Sequence, residues 1–140
     1  MEFEEITHKI IGCAYKVFNT LGFGFLESVY QKALFIELEK AGLLAEAEKP
    51  LKVFYDGHVV GNFEVDVFVE HEVIVELKSV EYLAKNHEVQ LVNYLNGIEK
   101  EVGLLINFGP GGVQVKRKYR KPLPPESLND QLKKDVFRQD

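Results

Sequence analysis

The chain has 140 residues, with 17 Lys/Arg against 22 Asp/Glu for a formal net charge of −5. Ten Phe and six Tyr in a 46% hydrophobic composition fit one folded domain large enough to bury a core without staples, and exclude a disordered chain. A lone Cys13 excludes an intramolecular disulfide and a cysteine-built zinc or iron–sulfur site, while His8, His58, His71 and His87 lack metal-ligand spacing.

Phe3, Ile6, Ile10, Ile11, Ala14, Val17, Phe18 and Leu21 recur at three- and four-residue steps, which predicts an amphipathic helix over 3–20. Gly22-Phe23-Gly24 breaks it, and a second helix is predicted from about Phe25 to Ala41, closed by Gly42. Glu27 falls in its first turn, where a carboxylate complements the helix dipole by about 0.3–1 kcal/mol. Tyr30, Gln31 and Leu34 follow on the same stripe, so Glu27 also heads a face that can aim it into a cleft. Pro50 opens a third section, in which Leu51, Val53 and Tyr55 alternate with polar or outward residues as a strand. Asp56-Gly57 predicts a hairpin turn, and the next strand, from about His58 to Glu70, carries a bulge or break at Gly61-Asn62.

The stretch 63–78 carries the chemistry. Two alternating runs flank Glu70-His71-Glu72, the pattern of two antiparallel strands and a turn. Simple alternation puts Phe63, Val65, Val67 and Val69 on one face and Glu64, Asp66, Phe68 and Glu70 on the other; Val73, Val75 and Leu77 likewise oppose Ile74, Glu76 and Lys78. A turn centred on His71 sets Asp66 opposite Glu76 and Glu64 opposite Lys78. Facing carboxylates repel unless something positive lies between them. Lys78 supplies part of that charge, and a divalent cation would supply it better, since Mg²⁺ takes one or two carboxylates and keeps sites for water and phosphate. The same spacing also fits a solvated charged face on a half-exposed hairpin.

Beyond Lys78, Ser79–Lys85 reads as an irregular or helical connection and 86–98 as a third helix with Leu91, Leu95 and Ile98 as its core stripe. Gln90 and Tyr94 are neighbours on one face of it, a pairing that equally suits an ordinary amide and ring at the core's edge. Glu101–Phe108 is a near-continuous apolar run, as in a strand buried on both faces, and Gly109-Pro110-Gly111-Gly112 turns into an edge strand, Val113–Tyr119. Residues 1–120 then form one α/β sandwich with a mixed central sheet flanked by helices. Residues 121–140 form a Pro-rich polar tail, with a short helix at Ser127–Phe137 as its only candidate element.

Charge is unevenly distributed: residues 1–109 hold 9 Lys/Arg against 18 Asp/Glu, and residues 110–140 hold 8 against 4. Lys116, Arg117, Lys118, Arg120 and Lys121 surround Tyr119, a local patch able to bind phosphate despite the negative total, or a solubilising edge strand. The amino terminus has no basic region followed by an apolar core, and no apolar run approaches ~18 residues, so a cytoplasmic location without a membrane span is expected.

Asp66 followed by Glu76-Leu77-Lys78 resembles the D…(D/E)xK signature of the PD-(D/E)XK nuclease superfamily. Gly24-Phe25-Leu26-Glu27-Ser28-Val29-Tyr30 is similar to the GxxExxY motif of one branch, and Gln90 to Tyr94 resembles the QxxxY element of RecB-type members. These elements span roughly 5–108; the one departure is Val65 where a proline precedes the aspartate in the name pattern. The resemblance implies a restriction-endonuclease-like fold and metal-dependent hydrolysis of phosphodiester bonds in nucleic acid, with DNA ahead of RNA. It implies Mg²⁺ or Mn²⁺ on Asp66, Glu76 and the Leu77 carbonyl, with Glu27 completing the acidic cluster. Lys78 would orient or deprotonate the attacking water or offset phosphate charge, and Gln90 and Tyr94 would position the nucleophile, Lys78 or a phosphate. A silent nucleic-acid-binding or regulatory domain, and an interaction domain with an unidentified protein partner, are the alternatives; a homodimer is compatible with each.

Overall fold

The computed structural model describes residues 2–120. The tail at 121–140, with Lys121 and the helix expected at Ser127–Phe137, lies outside them. The elements are α1 (Phe3–Leu21), α2 (Glu27–Lys40), β1 (Ala45–Tyr55), β2 (His58–Val69), β3 (Val73–Lys78), α3 (Lys85–Ile98), β4 (Val102–Gly109) and β5 (Gly112–Tyr119). The sheet follows sequence order, β1-β2-β3-β4-β5, and is mixed: β3 and β4 run parallel, and every other neighbouring pair is antiparallel. A parallel pair needs a crossover, which α3 provides. The predicted α/β sandwich is the observed architecture.

The sheet is covered on both faces. On one, Ile6, Ile10, Ala14 and Val17 of α1 and Tyr30, Leu34 and Leu38 of α2 pack on Val67, Val69, Val75, Leu77, Leu104 and Ile106. On the other, Leu91, Leu95 and Ile98 of α3 pack on Phe63, Val65, Phe68, Ile74 and Leu105. Double coverage explains why β4 is buried at all eight positions and reads as a nearly unbroken apolar run. Gly103 admits α3 at close range: a Cβ there would lie 3.0 Å from Leu91 Cδ1 and 3.1 Å from Ile74 Cγ1.

Three sequence expectations need correction. Pro50 lies inside β1, which begins five residues earlier at Ala45; β1 is an edge strand, where a residue with no N–H to donate is tolerated. The bulge in β2 falls at Val60, immediately before Gly61, because Val53 pairs with Gly61 and Phe54 with Val59. Most consequentially, the four odd residues of β2 do not share a face: Phe63 and Val65 join the α3 core, while Val67 and Val69 join the α1/α2 core.

Strand β1 changes faces at the same level, with Ala45 on the α1/α2 side and Leu51 and Val53 on the α3 side. The pivot is Glu48, set by the register opposite Asp66 but absent from the ladder, with φ +53°. Beyond it the β1–β2 hairpin wraps α3, close enough that a Cβ on Gly97 would meet Val53 Cγ1 at 3.0 Å. The β2–β3 ladder accordingly covers only Val67–Val69 with Val73–Val75, so Glu64 pairs with Pro50 of β1 and never faces Lys78.

Candidate active site

The site lies at the fork where β2 leaves β3. A type I′-like turn, with Glu70 at φ +54° and His71 at φ +56°, fixes the register that places Asp66 beside Glu76. Where the ladder stops, side chains satisfy the exposed backbone groups. The Leu77 N–H donates to Asp66 Oδ2 at 2.8 Å, Gln31 Nε2 donates to the Asp66 carbonyl at 2.8 Å, and the Asp66 N–H makes a long contact of 3.5 Å with Glu76 Oε1. The Asp66 carboxylate is thereby held by the backbone of the strand that carries its partner.

A cavity of about 170 Å³ opens here, lined by Glu27, Ser28, Gln31, Asp66, Glu76, Leu77 and Lys78. Burial, then the charge of Asp66, pushes the Glu76 carboxyl up to about 8 from an ordinary 4.5. Asp66 is also raised, chiefly by burial and further by Glu48, against the opposing Leu77 hydrogen bond and the charge of Lys78. Among the described residues neither carboxylate makes an ion pair; Lys78 acts on both through space. Glu48 adds backbone strain beside the site, since a non-glycine residue in the left-handed region is uncommon.

The GxxExxY-like stretch has a physical reading. Gly24 sits at φ +118°, a conformation that disfavours any side chain. Glu27 opens α2 and lines the cavity. Tyr30 is fully buried and stacked on Phe108, centroids 4.3 Å apart; its hydroxyl donates to the Gly22 carbonyl and accepts from the Phe25 N–H. The tyrosine thus anchors the loop that delivers the glutamate.

Glu27, Asp66, Glu76, Leu77 and Lys78 are therefore brought together, and Gln90 and Tyr94 are not among the cavity's lining residues. Gln90 Nε2 donates to Tyr94 Oη at 2.9 Å, and the Tyr94 ring stacks on Phe63 at 3.7 Å, on the α3 side of the rolled strand. The basic strand divides as well. Arg117 donates to Thr7 Oγ1 of α1 at 2.8 Å, whereas Lys118 pairs with Glu88 of α3 at 2.6 Å and Arg120 with Glu101 at 3.4 Å; Lys116 is exposed. Two polar residues about the site stood out less in the sequence. Gln31 was legible only as a position on the Glu27 stripe. Asn107 was signalled by being the one amide in an apolar strand; it is fully buried and fastens the segment after Lys78.

The donor set is oxygen only, the chemistry of a hard divalent cation. No three His, Cys, Asp or Glu side chains among the described residues converge on one metal position; Mg²⁺ accepts one or two carboxylates with the remaining positions taken by water. Two raised carboxylates without a paired cation fit that group. No helix among the described residues is long and apolar enough to cross a membrane.

No curated protein matches the chain. Among solved structures, the crystal structure of SSO0001 is similar at 20% identity and a TM-score of 0.54, over 81% of this chain and 59% of that one, a likeness of fold. The chain thus spans somewhat over half of that protein's length. A family model for the PD-(D/E)XK nuclease superfamily matches residues 4–120, which takes in α1 from its second residue and every other element among the described residues. The chain belongs to the PD-(D/E)XK nuclease superfamily.

Proposed function

We propose that this protein is a nuclease of the GxxExxY branch that hydrolyses phosphodiester bonds, in DNA ahead of RNA, with Mg²⁺ or Mn²⁺ held by Asp66, Glu76 and the Leu77 carbonyl. The observation that carries the reading is the shared cavity: two half-buried carboxylates on neighbouring strands, both raised by burial and Glu76 further by Asp66, with Lys78 and Glu27 also lining it. A divalent cation there would polarise a phosphate oxygen and lower the pKa of bound water.

The chain's own residues supply the rest. Asp66 is fixed by the Leu77 N–H and cannot swing out of the site. Gln31, locked on the Asp66 carbonyl, lines the floor and keeps α2 against the fork. Lys78 Nζ offsets charge on the phosphate as water adds to phosphorus and gives up a proton to solvent, the P–O bond to the leaving oxygen breaks, and that oxygen takes a proton from solvent. Glu27 holds water from the far wall. Gln90 and Tyr94, outside the cavity, contact the strand beyond the scissile phosphate. Lys116, exposed on β5 and without an ion pair among the described residues, is the most available phosphate contact there, with Arg117, Lys118 and the neighbouring Arg120 drawn on only by exchanging partners.

The test incubates the purified protein with labelled single- and double-stranded DNA and RNA, with and without Mg²⁺ or Mn²⁺. Cleavage should require the ion, vanish in Asp66→Asn and fall by about 10²–10⁴-fold in Lys78→Ala. Ion-independent cleavage, or full activity in Asp66→Asn, would overturn the assignment.

A further inference from the structure

Two loops border the acidic cavity in sequence: residues 22–26 run directly into Glu27, and residues 79–84 leave directly from Lys78. Ser79 Oγ donates to the Phe25 carbonyl at 2.9 Å and ties one loop to the other. Each loop is also fastened from below by a fully buried polar side chain. Tyr30 holds the first through Gly22 and Phe25. Asn107 holds the second: its Oδ1 accepts from the Val80 N–H at 2.9 Å, and its Nδ2 donates to the Val80 carbonyl at 2.9 Å and to Gln114 Oε1 at 3.0 Å.

These tethered loops nevertheless turn large apolar side chains outward. Leu26 is 77% exposed and Tyr82 81% exposed, with Phe23 and Phe25 each nearly half exposed. Tyr82 borders a cleft of about 350 Å³ against the β4–β5 turn. A loop that only joins elements is built from polar turn residues and gains nothing from fixed aromatic side chains in water. A loop whose backbone is held in place before binding loses less entropy when something packs on the side chains it carries.

We infer that the two loops form a stacking lip for unpaired nucleobases next to the phosphate in the acidic cavity, so that the substrate is single-stranded where it is cut. The inference rests on the nuclease reading and narrows its substrate. Charge favours base faces over backbone at the lip, because Glu27 directly follows one loop and Glu81 lies in the other, leaving the apolar side chains to supply the attraction. A duplex has its base faces already stacked on each other and offers the lip only phosphates and groove edges. Base–aromatic stacking is sequence-tolerant, so no base preference is expected from it.

The experiment measures anisotropy of an end-labelled oligothymidylate of about 12 nucleotides and of a blunt duplex of the same length, with Ca²⁺ replacing Mg²⁺ to prevent turnover. The full chain is compared with Tyr82→Ala, Tyr82→Phe and Leu26→Ala, whose exposed positions leave the core untouched. Tyr82→Ala should weaken single-strand binding by about tenfold, Tyr82→Phe should restore it, and duplex binding should not change. An equal loss on both substrates, or no loss in Tyr82→Ala, overturns the lip. Mg²⁺-dependent cleavage by wild type, run on the same oligonucleotides, separates the two claims. Cleavage with Tyr82-independent binding sinks the lip and keeps the nuclease. Tyr82-dependent binding without cleavage keeps the lip and sinks the nuclease.

Discussion

The acidic cavity and the basic strand β5 hold opposite charges in opposite ways. On β5 and just past its end, Lys118 and Arg120 are each met by a carboxylate from the α3–β4 region, and Arg117 on the strand by a threonine hydroxyl of α1. At the fork, Asp66 and Glu76 lie side by side, are raised by burial, and make no ion pair among the described residues. Charge along this edge is neutralised within the fold at Lys118 and Arg120, whereas charge in the cavity has no ion-pair partner among the described residues. A sequence shows both as runs of charge; only the register and the roll of the β1–β2 hairpin distinguish them.

The strongest test of that difference removes the unpaired charge. Glu76→Gln should abolish metal-dependent cleavage and, in the metal-free protein, also change how stability depends on pH. Glu76 keeps its proton in the fold up to about 8 while the unfolded chain loses it near 4.5. The folded state therefore binds the extra proton across that window, and metal-free stability falls as pH rises from about 4.5 to about 8. Asp66, raised in the same direction, adds to the slope. Thermal unfolding in EDTA should show wild type losing on the order of a few kcal/mol across the window and Glu76→Gln losing clearly less. Parallel curves for the two proteins would mean that the cavity carries no such strain.

A smaller effect is expected at Asn107. Replacing it with Ala strips three hydrogen bonds and leaves the Val80 amide and carbonyl without their partner. Denaturant unfolding should register a loss of about 1–3 kcal/mol, and exchange protection at Val80 should drop with it. Unchanged protection would show that the segment after Lys78 is held by something else.

The smallest belongs to β5. Lys118→Ala breaks an ion pair near the surface, which ordinarily contributes about 0–1 kcal/mol, so stability should barely move. Nucleic-acid affinity should likewise change little, because that lysine is already engaged, whereas Lys116→Ala should reduce binding more at low salt than at high salt. The reverse ranking of the two variants would return β5 to a single basic patch.

How much of this was legible follows from which forces are local. The Asp66–Glu76 juxtaposition needed only alternation and a turn centred on His71, both local, and the structure keeps it just beyond the ladder's last pair, with both residues lining one cavity. Long helices with a clear apolar stripe, and a strand buried on both sides, were also plain. The roll at Glu48 and Asp66 was hidden because it comes from the hairpin wrapping α3, a contact between Val53 and Gly97 that no short window contains. The same roll explains why Phe63 and Val65 left their expected face and why Glu64 does not meet Lys78. Gln90 and Tyr94 were correctly neighbours on one helix face, but the placement of that face relative to the cavity depends on how α3 docks. Asn107 is the one amide in an apolar strand, and the Val80 groups it holds lie 27 residues away in a loop with no pattern of its own.

The account's central claim is that the two raised carboxylates are a divalent-cation site, and proton-coupled calorimetry tests it most directly. Mg²⁺ and Mn²⁺ are titrated into wild type and into Asp66→Asn at about pH 7, in buffers of different ionisation enthalpy, to count the protons released. Because Glu76 is largely protonated at that pH, binding should expel close to one proton per ion in wild type, and Asp66→Asn should bind far more weakly. Binding without proton release, or equal affinity in Asp66→Asn, would place the ion elsewhere and contradict the reading of the fork as the active centre.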